Sequence, residues 1–364
     1  MAKNDNKKLW KVLKGIMNTT KQTGFNKELL NLVDSPQSSV DNINSYFINI
    51  GRNLAESFNN ANNTNSELGW NFQSQLKSFV LLDTDENEVS NLIINLKNEC
   101  TVGWDGISNQ LLKHCRNHLI IPLTHIFNGC LQKGIFPNAL KKSEVRPIFK
   151  NGDKNSLNNY RPISILPSLS KILEKIINKR LIEYLEKNNF LSQNQFGFRH
   201  GKSTDDAVHS LTNYIATNLD QGKKCIGIFL DLAKAFDTVS ISILLKKLEH
   251  IGIRGLQLKL FRDYLSDRYQ CVRVDSYCSS YRLVTHGVPQ GSILGPTLFL
   301  VYIDFLTRVQ LQKGQIISYA DDTALVFAAD TWTEVFDAAQ SGFNAVTKWL
   351  HNNILSLNIS KTKY

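Results

Sequence analysis

No stretch of this sequence is apolar for long enough to cross a bilayer; the run Leu298-Phe299-Leu300-Val301-Tyr302-Ile303 stops at Asp304. Met1 to Trp10 are polar and basic, without the apolar block of a secretory leader. These two absences point away from membrane and secretory readings. Cysteine never occurs as Cys-x-x-Cys: Cys100, Cys115, Cys130, Cys225, Cys271 and Cys278 stand apart and read as reduced, structural thiols. His114, Cys115 and His118 invite a zinc reading, since His at i and i+4 share a helix face. No second ligand cluster lies near them in sequence, so a helical surface pair is the better reading. Internal repeats are absent too. Acidic residues are fewer than basic ones, 32 against 42, giving a net charge of +10 and a pI near 9.2. That excess suggests a polyanionic partner, nucleic acid or an acidic membrane surface, with plain solubility as the simpler alternative. Hydrophobic residues make up 42% of 364, enough to exclude general disorder and to fill two or three domains.

Residues 1–80 are rich in Asn, Lys, Ser and Thr, and Asn59 to Ser66 reads as an exposed linker. Before it, Val40, Ile43, Phe47 and Ile50 recur at helical spacing and predict one packed helix. A better-defined domain starts near Leu81. Asp85 is placed to cap a helix with the apolar face Val89, Leu92, Ile93 and Leu96. Ser170 is placed to cap a second, carrying Leu173, Ile176, Ile177, Leu181, Tyr184 and Leu185. Lys224 to Leu232 reads as a buried strand. The helix after it carries Ile243, Leu244, Leu248 and Ile251, with Gly252 as its stop. Arg268–Val274 and Tyr281–His286 alternate like strands, and Pro296–Val309 reads as a helix buried on all sides. Strands and helices mixed in this order predict an α+β fold, a sheet layered by helices.

The chemistry concentrates in carboxylates at strand ends. Gln315–Tyr319 and Thr323–Phe327 read as the two arms of a hairpin with Asp321 and Asp322 at its tip. Adjacent carboxylates repel, which raises the pKa of one of them, and a bound cation reverses that penalty. Asp alone is a common turn residue, so the pair needs support from elsewhere. Asp231 supplies it, falling at the end of the apolar run Ile226-Gly227-Ile228-Phe229-Leu230, where an uncompensated charge is costly. It reads either as a cap at a strand–helix junction or as a ligand that meets Asp321 across neighbouring strands. Two magnesium ions clamped in this way activate a hydroxyl and stabilise a leaving pyrophosphate; magnesium suits an all-oxygen site holding a triphosphate. Between the two sites lies Gly287-Val288-Pro289-Gln290-Gly291, whose glycines predict close approach of backbone to a ligand and whose Gln290 offers both donor and acceptor.

Phe229 to Asp237, then Gly287 to Gly291, then Tyr319-Ala320-Asp321-Asp322, resemble the A, B and C palm motifs of reverse transcriptases. Val145–Lys150 and Asn159–Ser164 resemble their first two fingers motifs. Gln195–Arg199 with Gly201–Thr204, and Gly103-Trp104-Asp105-Gly106-Ile107, resemble segments of non-LTR retrotransposon polymerases of the jockey type. The resemblance spans roughly residues 81–364. It implies a right-hand polymerase fold with fingers over 81–221 and a palm over 222–364, a fingers-side insertion near 253–285, and 1–80 as an N-terminal extension. It also implies that the endonuclease and thumb of full-length relatives are missing from this chain.

The same resemblance implies an RNA-directed DNA polymerase that extends a DNA primer along an RNA template, using dNTPs and two Mg²⁺ ions, with Mn²⁺ as a substitute. Asp231 and Asp321 would be the metal ligands, with Asp322 in support. Lys150 and Arg161 would hold the triphosphate, Gln290 would contact the nucleotide, and Phe236 would be the steric gate against a 2′-hydroxyl. Lys361 would protonate pyrophosphate. An intracellular place, nuclear or cytoplasmic, is expected, with action in the nucleus at chromosomal DNA inferred from the family only. Gly197 to Ser203 is one residue short of a P-loop, and no buried strand leads into it. Phe198, Arg199 and Lys202 are read instead as a contact to nucleic-acid backbone. A folded but inactive nucleic-acid-binding relic, and an RNA-dependent RNA polymerase, are the competing readings.

Overall fold

A computed structural model describes residues 27–59, 77–98 and 101–364. Cys100 and the Asn-rich run beyond Asn59 lie outside the described residues. Helix α1 (Pro36–Asn59) is followed by α2 (Glu86–Ile94), α3 (Asn109–His114) and α4 (Arg116–Lys133). Strands β1 (Lys142–Phe149) and β2 (Tyr160–Ile165) form a hairpin that leads into α5 (Ser168–Lys187) and α6 (Thr204–Asp220). Then come β3 (Lys224–Leu230), α7 (Ile241–His250), α8 (Gly255–Leu265) and the strands β4 (Arg268–Val274), β5 (Tyr277–Cys278) and β6 (Arg282–Val284). Helix α9 (Leu294–Ile303), the hairpin β7 (Gly314–Tyr319) and β8 (Asp322–Ala329), and α10 (Trp332–Asn352) complete the order. Helices and two largely antiparallel sheets make the fold α+β.

The first sheet runs β2-β1-β4-β5 with β6 also on β4, and joins chain segments more than a hundred residues apart. Its β1–β4 pairing is parallel, from Lys142 opposite Tyr269 to Val145 opposite Val272. One face carries Val145, Tyr160, Val272 and Val274 and is sealed by Val40, Ile43, Phe47 and Ile50 of α1. The helical spacing of those four residues thus has a partner: α1 packs on the sheet and belongs to the folded body. The second sheet has the order β3-β8-β7 and packs against α10. Its apolar side merges with α5, α7, α8 and α9 into the main core.

Several boundaries differ from the sequence reading. Asp85 caps α2 as expected, accepting from the Glu88 N–H at 2.8 Å. Ser170 is no cap: α5 begins at Ser168 after Pro167, whose fixed φ suits a helix entry, and the buried Ser170 hydroxyl donates to Glu174. Glu174 in turn accepts the Ile293 and Leu294 N–H groups at the start of α9, which explains a carboxylate with no exposure. The strand expected to be buried over 224–232 ends at Leu230 and is only half buried, because it lies at the edge of its sheet. The long apolar helix breaks at Asp304 into a 3-10 turn, where the Asp304 carboxylate accepts from Ser192 N–H and pairs with Arg308.

Candidate active site

The hairpin β7–β8 pairs Tyr319 with Asp322, so Ala320 and Asp321 form the two-residue tip. Strand β3 pairs with β8 up to Leu230 opposite Thr323. The next residue on each chain is Asp231 and Asp322, so the register brings the two sequence-distant carboxylate sites to one end of one sheet. Burial pushes the Asp321 carboxyl above its ordinary range, and the charges of Asp322 and Asp231 push it further. Among the described residues no three His, Cys, Asp or Glu side chains form a ready-made cage for a metal. Asp231, Asp321 and Asp322 are the oxygen donors here that could hold a divalent cation.

Three cations face these carboxylates. Lys150 follows the end of β1, and Arg161 stands opposite Ile148 in the β1–β2 hairpin. Burial lowers the Lys150 pKa, and the neighbouring Arg161 and Lys361 charges lower it further, while Asp231 and Asp321 oppose them. Lys361 arrives by a route invisible in its local sequence. The segment 357–363 adds to the open edge of β3, with Phe229 and Lys363 exchanging N–H···O bonds at 2.7 and 3.0 Å. Asn358 N–H donates to the Asp231 carbonyl at 2.8 Å, and the Lys361 ammonium lies 3.9 Å from the Asp231 carboxylate. Five residues named from the sequence, Asp231, Asp321, Lys150, Arg161 and Lys361, therefore share one electrostatic neighbourhood.

The glycine loop has a structural job beside the one expected. Gly287 has φ +83°, and a Cβ there would sit 2.9 Å from the backbone of Asp237. The close approach seen at Gly287 is to protein. Gly287 N–H donates to Val239 and Val288 N–H to Phe236, while Ser164 N–H of β2 donates to the Gln290 carbonyl. The loop thus staples the turn after β3 to the first sheet. The Gln290 amide donates to both carboxylate oxygens of Asp237, at 2.8 and 2.9 Å. Asp237 lines a narrow cleft with Phe47 of α1, Ser164 of the first sheet and the 286–290 loop, and burial raises its pKa to about 6 against the bond from Gln290 and the charge of Lys234. Sequence reading missed Asp237, although its position six residues after Asp231 was a usable signal. Phe236 stacks on Phe299, centroids 4.4 Å apart and 17° between planes, and Phe198 meets it edge-on at 6.0 Å.

The expected backbone-binding trio divides. Phe198 is exposed and adopts φ +52° beside Phe236. Arg199 is a correction: its side chain is 6% exposed, ion-paired to Glu186 at 2.6 Å, and bonded to the carbonyls of Ser192 and Gln195. A guanidinium committed to protein on every side has no face left for phosphate. The Lys202 ammonium donates to the Gln193 carbonyl at 2.5 Å and lies 4.6 Å from the Phe196 ring.

Residues 148–364 match the family model described as reverse transcriptase (RNA-dependent DNA polymerase). The chain belongs to the reverse transcriptase family. It is 33% identical over 281 residues to the RNA-directed DNA polymerase from mobile element jockey of Drosophila melanogaster, covering 75% of this chain and 31% of that protein. The jockey polymerase of Drosophila funebris is 31% identical over 281 residues, with the same coverage. This reverse transcriptase chain therefore spans about a third of the length of the curated relatives it matches. Among solved structures, telomerase from Candida albicans, with a fragment of telomeric RNA, aligns over 63% of this chain and 44% of that one, at 16% identity and a TM-score of 0.44. No described helix is long and apolar enough to cross a membrane.

Proposed function

We propose that this reverse transcriptase chain carries the nucleotidyl-transfer centre of a non-LTR retrotransposon polymerase, with the β1–β2 and β4–β6 sheet as fingers and the β3-β8-β7 sheet as palm. The observation that carries the reading is the meeting of Asp231 and Asp321 with Lys150, Arg161 and Lys361. Asp231 and Asp321, with Asp322 beside them, are the residues that would hold two magnesium ions. Bound there, the metal supplies charge to lower the pKa of a primer 3′-hydroxyl and to neutralise a leaving pyrophosphate. Lys150 and Arg161 would grip the triphosphate of a dNTP, a polyanion matched to two converging cations. Lys361, close to Asp231, would donate a proton as pyrophosphate departs.

Phe236 would exclude a 2′-hydroxyl. The Phe299 stack beneath it supports that role, since a gate discriminates only if its ring cannot move aside. Gln290, its orientation fixed by Asp237, would contact the nucleotide, and the exposed ring of Phe198 with Lys202 would touch nucleic-acid strand. The template is RNA, the primer DNA, and the setting of chromosomal DNA is the nucleus. Primer extension on an RNA template tests the reading. Product with dNTPs and Mg²⁺ that disappears in Asp321→Ala is the expected result. Salt-sensitive RNA binding without product indicates a relic. Product with NTPs, increased by Phe236→Ala, indicates an RNA polymerase.

A further inference from the structure

The tip that carries Asp321 is a poor structure by itself. Ala320 sits at φ +58°, a left-handed conformation that L residues avoid, and is 4% exposed. The β7–β8 ladder ends at Tyr319 and Asp322 and leaves the Ala320 N–H without a partner from the sheet. A buried N–H without an acceptor is costly, so something outside the hairpin must hold the turn.

That group is Gln195. Asn194 to Phe196 runs along the free edge of β7 as a parallel bridge: Ser318 N–H donates to Asn194 at 2.9 Å and Phe196 N–H donates to Ser318 at 2.8 Å. Gln195, with no exposed surface, turns its amide into the tip. Its Oε1 accepts from the Ala320 N–H and the Gly197 N–H, both at 2.9 Å, and its Nε2 donates to the Ala320 carbonyl at 3.4 Å. Gly197 permits the approach, because a Cβ there would lie 2.2 Å from the Ala320 nitrogen. Arg199 secures the segment from behind through the Ser192 and Gln195 carbonyls.

The geometry points to Gln195 as a positioning residue for Asp321. It grips both backbone polar groups of the residue before the carboxylate and so fixes where that carboxylate projects. Nothing in the arrangement brings Gln195 to substrate; it acts only through the turn. This inference rests on the polymerase reading above. It concerns how the carboxylate is aimed, so its test measures metal binding as well as turnover.

The test compares Gln195→Met, which removes both acceptor contacts at nearly constant shape, with Gln195→Glu, which keeps the acceptors and loses the donor. Mn²⁺ binding to the 364-residue chain with RNA template and chain-terminated DNA primer is followed by electron paramagnetic resonance. Single-turnover extension gives the maximal rate and the dNTP affinity separately. For Gln195→Met we expect the Mn²⁺ dissociation constant to rise about tenfold and the maximal rate to fall about 10²-fold, with dNTP and duplex affinities within about threefold of wild type. Gln195→Glu should fall between Met and wild type on both readouts. Val326→Ala, a core cavity on β8 remote from the tip, should lower Tm and leave the Mn²⁺ constant unchanged. Wild-type Mn²⁺ affinity and rate in Gln195→Met overturn the inference. So does a Val326→Ala effect on Mn²⁺ as large as that of Gln195→Met, since generic destabilisation then suffices. Should Gln195→Met fail to fold, Gln195→Glu decides alone, and wild-type values in it overturn the inference. A wild-type chain that neither binds Mn²⁺ at a site lost in Asp321→Asn nor extends primer overturns the polymerase reading itself, a separate and recognisable failure.

Discussion

The two sides of the site are built on opposite principles. Two of its three cations come from one local hairpin: Lys150 and Arg161 are eleven residues apart, and the β1–β2 register alone brings them close. Its carboxylates are ninety residues apart and meet only because β3 pairs with β8 across the core. The cationic hairpin lies at the end of its sheet, with Arg161 exposed and Lys150 reaching in from a loop. The carboxylate tip packs against a sequence-distant segment, where Gln195 bonds both the N–H and the carbonyl of Ala320. Anything that must aim an electron-rich oxygen at a metal gains from rigidity, while a clamp on a departing polyanion gains from give. The contrast predicts that damage to the carboxylate side, with Lys361 beside Asp231, appears in the rate of the chemical step, and damage to the cationic hairpin in substrate affinity.

The largest effect should come from Asp321→Asn, with extension falling at least about 10³-fold. Folding should not suffer. Burial and like charges hold the carboxyl above its ordinary pKa, so a neutral amide relieves repulsion, and Tm by differential scanning fluorimetry should equal or exceed the wild-type value. A lower Tm with retained activity would break the assignment. Lys361→Ala comes next. Its maximal rate should drop about 10²-fold, as for loss of a general acid, while Tm stays put. The pair to Asp231 is 3.9 Å long and well exposed, a geometry that contributes little stability. Arg161→Ala should raise the dNTP half-saturation about tenfold with a smaller change in maximal rate, read from single-turnover kinetics. A pure rate effect there would erase the contrast between the two sides.

The two sides also differ in how far the sequence disclosed them. The hairpin tip, the Asp85 cap and the four-residue stripe of α1 are local patterns of period two or 3.6, and each shows in its own ten residues. The convergence of Asp231 with Asp321 was legible only through the ordered motifs, because no local rule fixes which strands pair. What stayed hidden depends on tertiary neighbours. Arg199 looks like surface charge until Glu186 and two carbonyls are seen around it. The packing of Gly287 against Asp237 is invisible in the local sequence of the loop. The half-exposed character of β3 follows from its edge position, which periodicity cannot report.

The smallest predicted effect tests the joint where the two sides meet. Asp237 follows β3 and lines a cleft shared with α1 and the first sheet, with Gln290 from the glycine loop donating to both of its oxygens. Burial raises its pKa from 3.8 to about 6, so the folded chain holds the proton more tightly than the unfolded chain. The stability contributed by this group is therefore fully present below about pH 3.8 and is lost as pH rises through 6. At neutral pH the charged form is carried at a cost of up to about 3 kcal/mol, by the free energy equivalent of such a shift. Gln290 offsets part of that cost, and protonation of Asp237 removes one acceptor from its amide. Between pH 5 and pH 7 the wild-type Tm should change by a few degrees more than that of Asp237→Asn, falling towards the higher pH. A single contact then links the stability of the joint to the orientation of Gln290. Identical Tm profiles in the two proteins over that window would mean the carboxylate is solvated rather than enclosed, and the loop would lose its part in tying the turn after β3 to the first sheet.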